Sequence, residues 1–264
     1  MTKFQLKIVF YSLFLLTHSV FATANEASAQ QQVSAATDAS IDVEINSGAD
    51  SAAANSNHRY VYDVYYKSIS IGDMTQEYRW KGKNVEVNSV ADFSFLYFSF
   101  GGSQQSDIVW DETKNLFLSR SFVRESVGFS TVEMTAKFDP TGHHSEVVNN
   151  GESAEYSNQE GPIVDFNTVT LQIGEGLKKG QTDFEFYMQT SDDIAHYYFQ
   201  LKGTEVIKTK FGEMEVYRVQ QTRKKDRTFI AWFAPHFDYQ MVKFEYQRKV
   251  LDIHGELVEH GTDF

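Results

Sequence analysis

Three strand-like runs separated by short turns fill the stretch from Phe211 to Phe244 and the residues just after it. The turn after the first run carries the charged sequence Arg223–Asp226, and Pro235 ends the second run. Regular alternation of apolar and polar residues is typical of half-buried strands. This stretch therefore predicts an antiparallel meander. Its three runs are Glu213–Thr222, Arg227–Ala234 and Tyr239–Arg248.

The same period of two extends over most of the chain, beginning with Tyr60, Tyr62, Val64 and Tyr66 on one face of a first strand. Strands at regular spacing between turns are typical of sandwiches and barrels, which often reach about 200–250 residues as one unit. We therefore expect residues 58–264 to form one all-β domain, mainly antiparallel, with a curved or barrel-like meander sheet. The chain is rich in hairpins on both sides of one short helix, which indicates two halves of one sheet. A last turn is predicted at His254-Gly255.

The aromatic run Phe93–Phe100 is predicted as part of one long strand that ends at Gly101-Gly102. Both of its faces are apolar, so both have to be covered. Two interpretations follow: a central strand between the core and a covering element, or the wall of an apolar ligand cavity.

One amphipathic helix is predicted over Phe166–Leu177. Asp165 precedes it, and an aspartate at this position accepts hydrogen bonds from the free N–H groups of the first turn. Lys178-Lys179-Gly180 supplies positive charge and a stop at the other end. Because Gly174 and Gly176 weaken the helix by up to about 1 kcal/mol each, we expect it to depend on packing against the sheet, as a plug or lid. The residues expected to contact a ligand are Phe95, Tyr97, Phe98, Phe166 and Trp232.

The first 57 residues have two different compositions. Lys3 and Lys7, the apolar run Ile8–Leu16 and Ala22-Thr23-Ala24 predict a signal peptide over residues 1–24, and hence a periplasmic protein. Residues 25–57, rich in Ala, Ser, Asn and Gln, predict a disordered linker. The formal charge is −12. Such an acidic protein is a poor ligand for nucleic acid. After the leader, no transmembrane helix is expected.

The sequence contains no recognisable catalytic motif. It has no Cys, no nucleophile elbow, no metalloprotease motif and no phosphate-binding loop. His143-His144 and His236-Phe237-Asp238 are weak metal candidates, because they read as turns. Trp80, Trp110 and Trp232 are candidates for stacking on sugar rings or for core packing. No metal site, cofactor or catalytic residue is predicted. The Arg223–Arg227 cluster is a candidate for a small anion site, although its position at a hairpin tip beside Asp226 favours solvation.

The chain carries several short motifs. They are Tyr60-x-Tyr62-x-Val64 with Gly72, Asp165 before a short helix that ends before Gly180, Gly203-Thr204-Glu205, Lys210-Phe211-Gly212, Arg227 through Trp232, and Tyr239–Phe244. Together they resemble the exported bacterial proteins grouped as domain of unknown function 3108, over His58–Glu259. The resemblance implies an exported, mainly antiparallel β protein, with no established activity and no catalytic residues. The family pattern has Pro where Met241 stands, so we expect different edge geometry in that strand.

The sequence therefore predicts a periplasmic envelope protein that binds an apolar or amphipathic ligand, such as a lipid or a lipoprotein segment, in a curved β-sheet. The alternative is a scaffolding module that binds envelope proteins through exposed sheet edges. A glycan hydrolase would need two facing carboxylates, and an outer-membrane barrel would need an alternating apolar band that Glu256–Phe264 lacks.

Overall fold

A computed structural model describes residues 57–95, 98–128 and 131–262, with only the backbone of Phe98. The predicted leader, residues 1–24, lies outside the described residues, as does all of the predicted linker except Asn57.

The described residues form fifteen strands, one α-helix and one 3-10 helix. The α-helix α1 spans Phe166–Lys178, and the 3-10 helix spans Pro235–Phe237. The strands are β1 His58–Tyr66, β2 Ile69–Lys81, β3 Asn84–Phe95, β4 Phe98–Asp111, β5 Leu116–Val127, β6 Val132–Phe138, β7 His144–Asn149, β8 Glu152–Ser157, β9 Ile163–Val164, β10 Asp183–Gln189, β11 Ile194–Thr209, β12 Gly212–Thr222, β13 Thr228–Ala234, β14 Gln240–Arg248 and β15 Leu251–Thr262.

All fifteen strands belong to one sheet in the order β8-β7-β6-β5-β4-β3-β2-β1-β15-β14-β13-β12-β11-β10-β9. Every pairing is antiparallel except that of the two-residue β9 with β10. The pairing of β1 with β15 joins the half of the sheet that precedes α1 to the half that follows it. The sheet nearly closes on itself, since the Ser145 hydroxyl of β7 donates to Oε1 of Gln189 in β10 at 2.6 Å. The expected all-β, barrel-like meander with one helix is confirmed.

The aromatic run Phe93–Phe100 is a hairpin and not one strand, which corrects the prediction. Strand β3 ends at Phe95 and β4 begins at Phe98, with Phe93 opposite Phe100 and Phe95 opposite Phe98. Residues that pair across a hairpin lie on the same face of the sheet, so the aromatic positions before the turn share a face with those after it. In a single strand, the same eight residues would have formed two apolar faces. Gly101 and Gly102 lie inside β4 rather than at its end.

The predicted final turn is also wrong. The chain reverses at Lys249 and Val250, where Lys249 has a φ of 55°, and His254-Gly255 lies in the middle of β15. Gly255 is needed there for a different reason: a Cβ atom on it would lie 2.2 Å from Cε1 of Phe244. A glycine within a strand often marks such a close approach.

Helix α1 is confirmed within one residue of its predicted end, with Asp165 as N-cap. It packs against β4, β5, β10 and β14, which come from both halves of the sheet. Val169, Ile173 and Leu177 join the main hydrophobic core with the rings of β3, β10, β11 and β13. The helix therefore fills the interior of the sheet, as expected of a plug.

Candidate ligand-binding cavity

A cavity of about 510 Å³ opens where the β2–β3 turn, the 3-10 helix and the last turns of α1 meet, at an end of the sheet that we name the mouth. A volume of this size lies within the range of small-molecule sites, roughly 300–1,000 Å³. The cavity is lined mainly by aromatic side chains from strand ends and by one side of the helix. Its lining residues are His58, Tyr60, Tyr78, Trp80, Gly82, Lys83, Trp110, Phe117, Thr170, Leu171, Gly174, Glu175, Lys178, Phe237, Asp238, Tyr239 and Gln240.

Trp80 and Trp110 form one wall of the cavity. Each lies one residue before the end of its strand, β2 or β4, and this end of the strand is at the mouth. Trp110 meets Phe117 edge-on, with ring centroids 4.9 Å apart, and Trp80 lies 6.1 Å from the same ring. Phe117 itself is buried. Trp80 and Trp110 are only partly buried, so part of their surface faces the cavity.

The helix supplies the floor. Thr170, Leu171 and Gly174 point towards the mouth, and Gly174 lets the following chain pass very close. A Cβ atom on Gly174 would lie 2.9 Å from the carbonyl oxygen of Tyr239. The absence of a side chain at Gly174 therefore allows Tyr239 to form the opposite wall.

Charged residues form the rim. Nζ of Lys178 lies 2.8 Å from Oδ2 of Asp238 and 3.7 Å from Oε2 of Glu175. Lys179 pairs with the same Glu175 at 3.0 Å and lies over the Trp110 ring at 4.5 Å. These pairs hold the C-terminal end of α1 to the 3-10 helix across the mouth. An apolar wall with a charged rim suits a molecule with one apolar end and one polar end.

A stack of rings borders the mouth at the ends of β1 and β15. The His260 ring lies 4.8 Å from the ring of Tyr60 and 5.6 Å from that of His58, nearly parallel to both. Burial is the main cause that lowers the pKa of His260, and the nearby His58 and His236 lower it further. His260 is therefore neutral at pH 7, and acidification would place positive charge beside the cavity.

Below the aromatic wall, the cavity meets a polar network. The amide Nε2 of Gln240 has two hydrogens and lies within hydrogen-bond distance of three acceptors, which are the hydroxyls of Tyr62 at 3.0 Å and Tyr78 at 3.3 Å and Oε1 of Gln76 at 3.4 Å. Burial raises the pKa of Tyr78 to about 12, although its bond to Gln240 acts in the opposite direction. The two phenols stay protonated and neutral at physiological pH. Gln76 continues the network by donating to Ser89 at 3.2 Å.

The network ends at the buried N-cap of the helix. The carboxylate of Asp165 accepts hydrogen bonds from Ser106 at 3.0 Å and from Ser119 at 2.8 Å, besides the backbone N–H groups of Asn167 and Thr168. Burial raises the pKa of Asp165 while these donors lower it. Strands β4 and β5 thus fix the start of α1, and with it the helix surface that forms the cavity floor.

A buried arginine completes this cluster. The guanidinium of Arg124 donates through Nε and Nη2 to Oε1 of Gln104, at 3.0 and 2.8 Å, and Gln104 donates to Asp165 at 3.4 Å. Burial lowers the pKa of Arg124 to about 10, so it remains charged at neutral pH. Gln104 therefore links a buried cation to a buried carboxylate.

Of the five residues predicted to contact a ligand, the three whose side chains the structure describes, Phe95, Phe166 and Trp232, are not among the residues that line this cavity. Phe95 and Phe166 pack against the main hydrophobic core. Trp232 belongs to a second core cluster, where its indole N–H donates to Glu205. Tyr97 and the side chain of Phe98 lie outside the described residues. Their contact with a ligand remains a prediction.

Some cavity residues can be found from the sequence and others cannot. Trp80 and Trp110 are stacking candidates on residue type alone, and both line the mouth. The sequence indicates Phe237 and Asp238 only as part of a turn and a weak metal candidate, and not as cavity residues. Thr170 and Leu171 lie off the apolar stripe of α1, and only the position of the helix inside the sheet gives them a role.

Neither a metal centre nor a membrane-spanning helix accompanies the cavity in the described residues. Among residues 57–95, 98–128 and 131–262, three or more His, Asp or Glu side chains do not converge on a point where they could hold a metal ion. In the same residues, the helices are too short or too polar to span a lipid bilayer.

Comparison with known proteins identifies the family. A solved structure of a beta-barrel-like protein of domain of unknown function DUF1849, from Brucella abortus, superposes with a TM-score of 0.53 at 11% sequence identity. The superposition covers 78% of this chain and 98% of that chain, and at this identity it shows a shared fold alone. None of the curated proteins compared matches this chain. The family model described as "Protein of unknown function (DUF3108)" matches residues 61–256, and the chain belongs to that family.

Proposed function

We propose that this is an exported protein of the bacterial cell envelope that binds an amphipathic ligand in the mouth cavity. The observation that carries the proposal is an aromatic cavity at one end of a sheet whose other end is filled with packed rings. Trp80, Trp110 and Phe237 offer apolar surface, and Lys83 and Lys178 lie at the rim. The apolar part of a lipid or lipoprotein segment would lie against the rings, with its polar part at the rim.

Export is supported by the sequence of the first 24 residues, which has a positive start, a short apolar run and small residues at its end. Cell fractionation followed by N-terminal sequencing tests this directly. We expect the mature protein in the periplasmic fraction with Asn25 as its first residue. A protein that starts at Met1 and stays in the cytoplasm contradicts the export proposal.

Ligand binding is tested by filling the cavity. Leu171 lies partly buried on the cavity floor, so Leu171→Trp places an indole where the ligand would lie. Native mass spectrometry of wild-type protein purified from its own periplasm should show an adduct, and fluorescence of 1-N-phenylnaphthylamine should rise on addition of the protein. Both signals should fall at least about tenfold in Leu171→Trp.

The matched control is Val206→Trp, which adds the same indole to a side chain that is 65% exposed on β11. This variant should retain the adduct and the dye signal. If Leu171→Trp folds normally by circular dichroism and still binds as the wild type does, the ligand lies elsewhere and the proposal fails.

A second candidate function rests on the edge strand β8. In the described part of the chain it pairs only with β7, and five of its six residues are exposed. Such an edge can accept a strand from another protein. Site-specific cross-linking from Ser153 in intact cells should trap one envelope protein if β8 serves as a scaffold. Capture of monomer alone would reject this function.

A further inference from the structure

The connection between β12 and β13 lies at the end of the sheet opposite the mouth. The residue just before β12, Phe211, touches Phe237 at the mouth with ring centroids 5.1 Å apart. Strand β12 then runs for eleven residues to Thr222. At about 3.3 Å per residue, the connection after Thr222 lies roughly 30 Å from the cavity.

Three basic side chains gather at this connection around one carboxylate. Arg227 donates to Asp226 through Nε at 3.1 Å and Nη2 at 2.9 Å, and Nε of Arg248 lies 3.2 Å from Oδ2 of the same Asp226. The side chains of Arg227 and Arg248 are only 9% and 17% exposed. Lys224 lies over the Tyr197 ring, with Nζ 5.0 Å from its centroid.

The charges at this connection do not balance. Lys224, Arg227 and Arg248 carry three positive charges, and Asp226 supplies one negative charge. Burial is the main cause that lowers the pKa of Lys224. The positive charge of the nearby Arg227 lowers it further, as expected between like charges at short distance. A guanidinium has five N–H donors, and the contacts with Asp226 use only some of them. The site therefore has excess positive charge and spare donors in a chain whose formal charge is −12.

An independent observation points to a ligand at the same place. Gln221 is only 5% exposed, and both polar atoms of its amide lack a hydrogen-bond partner among the described residues. It is the last inward-facing residue of β12 and pairs with Phe199, two positions from Tyr197. Leaving a buried amide unpaired is costly, and such groups in folded proteins nearly always have a partner.

We propose that Gln221, Lys224, Arg227 and Arg248 form a binding site for a phosphate group, either a free anion or part of a phosphorylated headgroup. The net charge of the basic cluster with Asp226 matches a phosphate dianion. The two guanidinium groups provide the paired donors that phosphate oxygens accept. The amide of Gln221 donates to the ligand from the inner end of the site.

The test compares adjacent residues of the connection. Lys224→Gln removes a cation of the proposed site without disturbing the pairing of Asp226. Arg223→Gln removes the same charge from the neighbouring residue, whose guanidinium lies 3.6 Å from the centroid of Tyr198 on the other face of β11. Inorganic phosphate is titrated into the full-length protein and both variants by isothermal titration calorimetry, at ionic strength held constant with sodium chloride.

We expect saturable phosphate binding by the wild type and by Arg223→Gln, with an association constant about tenfold lower in Lys224→Gln. Gln221→Leu should also weaken binding, while raising the melting temperature of the ligand-free protein because an unpaired buried amide is removed. The proposal fails if phosphate does not saturate, if Arg223→Gln weakens binding as much as Lys224→Gln, or if acetate binds as tightly as phosphate.

Two further probes distinguish a lipid headgroup from a soluble phosphorylated ligand. They are glycerol 3-phosphate and vesicles of phosphatidic acid in phosphatidylcholine. Cosedimentation with these vesicles that is lost in Lys224→Gln indicates a lipid headgroup. Binding of glycerol 3-phosphate without cosedimentation indicates a soluble ligand. Both results support the site, which is overturned if inorganic phosphate does not saturate it.

Discussion

Asp165 is a helix cap and also the centre of a buried polar cluster. The aspartate before an apolar helical pattern predicts the cap from sequence, because the capping bond is local. Its bonds to Ser106 and Ser119 join residues 59 and 46 positions away. Alternation assigns those serines to inward faces without saying which residue they meet. The sequence thus predicts the local half of this site and misses the tertiary half.

Asp165→Ala should lower the free energy of unfolding by about 3 kcal/mol or more. The loss of a cap costs roughly 1 kcal/mol. The hydroxyls of Ser106 and Ser119 also lose their acceptor, and the buried Arg124 loses the nearby negative charge. Equilibrium urea denaturation measures the difference. The control is Asp73→Ala, since Asp73 is exposed and pairs across the sheet with Asp63 and Asp92, so its removal relieves repulsion. A loss under about 1 kcal/mol for Asp165→Ala would show that water replaces the carboxylate.

At the scale of elements, the sequence is misleading mainly where the chain turns without the usual turn residues. Helix α1 is predicted because Asp165 marks its start and Lys178-Lys179-Gly180 marks its end. The reversal between Phe95 and Phe98 lies within an aromatic run, and the reversal at Lys249-Val250 also lacks glycine. His254-Gly255 has glycine without a turn, because the Phe244 ring occupies the space beside Gly255.

Gly255→Ala should therefore be strongly destabilising, although alanine is common in strands. Its Cβ atom would lie 2.2 Å from Cε1 and 2.5 Å from Cζ of Phe244, so the ring has to move inside the core. Overpacking of this kind costs about 1–3 kcal/mol. Urea denaturation measures the cost.

Gly261→Ala on the same strand is the matched control, because a Cβ atom there would meet nothing within 4 Å. Phe244→Leu combined with Gly255→Ala should recover part of the loss. Equal losses for the two alanine variants would mean that the ring of Phe244 is not what requires glycine.

At the scale of the whole molecule, the sequence predicts one sheet in two halves and cannot show how they join. Each hairpin is encoded within about 30 residues, whereas β1 and β15 meet through residues such as His58 and His260, 202 positions apart. No local pattern specifies that pairing. The position of the cavity follows from it, because His58, Tyr60 and Gln240 reach the mouth from opposite ends of the sequence.

The order of the strands predicts a gradient of stability. Amide hydrogens of β8 should exchange fastest among the strands, because β8 has one neighbour and little buried surface. Those of β1 should exchange slowest, because it lies between β2 and β15 with Tyr62 and Val64 fully buried. Hydrogen–deuterium exchange followed by mass spectrometry of peptides provides the comparison. Equal protection of the two strands would argue against an edge position for β8 and a central position for β1.

The pairing of the first described strand with the last one also bears on how the chain folds. When the chain becomes available from its N-terminal part onwards, β1 can pair with β2 at once, but its other edge has no partner until residues 251–262 follow. An open edge rich in tyrosine and valine is a template for aggregation. A chain that has not yet placed residues 251–262 therefore carries an unprotected strand edge, and β15 is the segment that shields it.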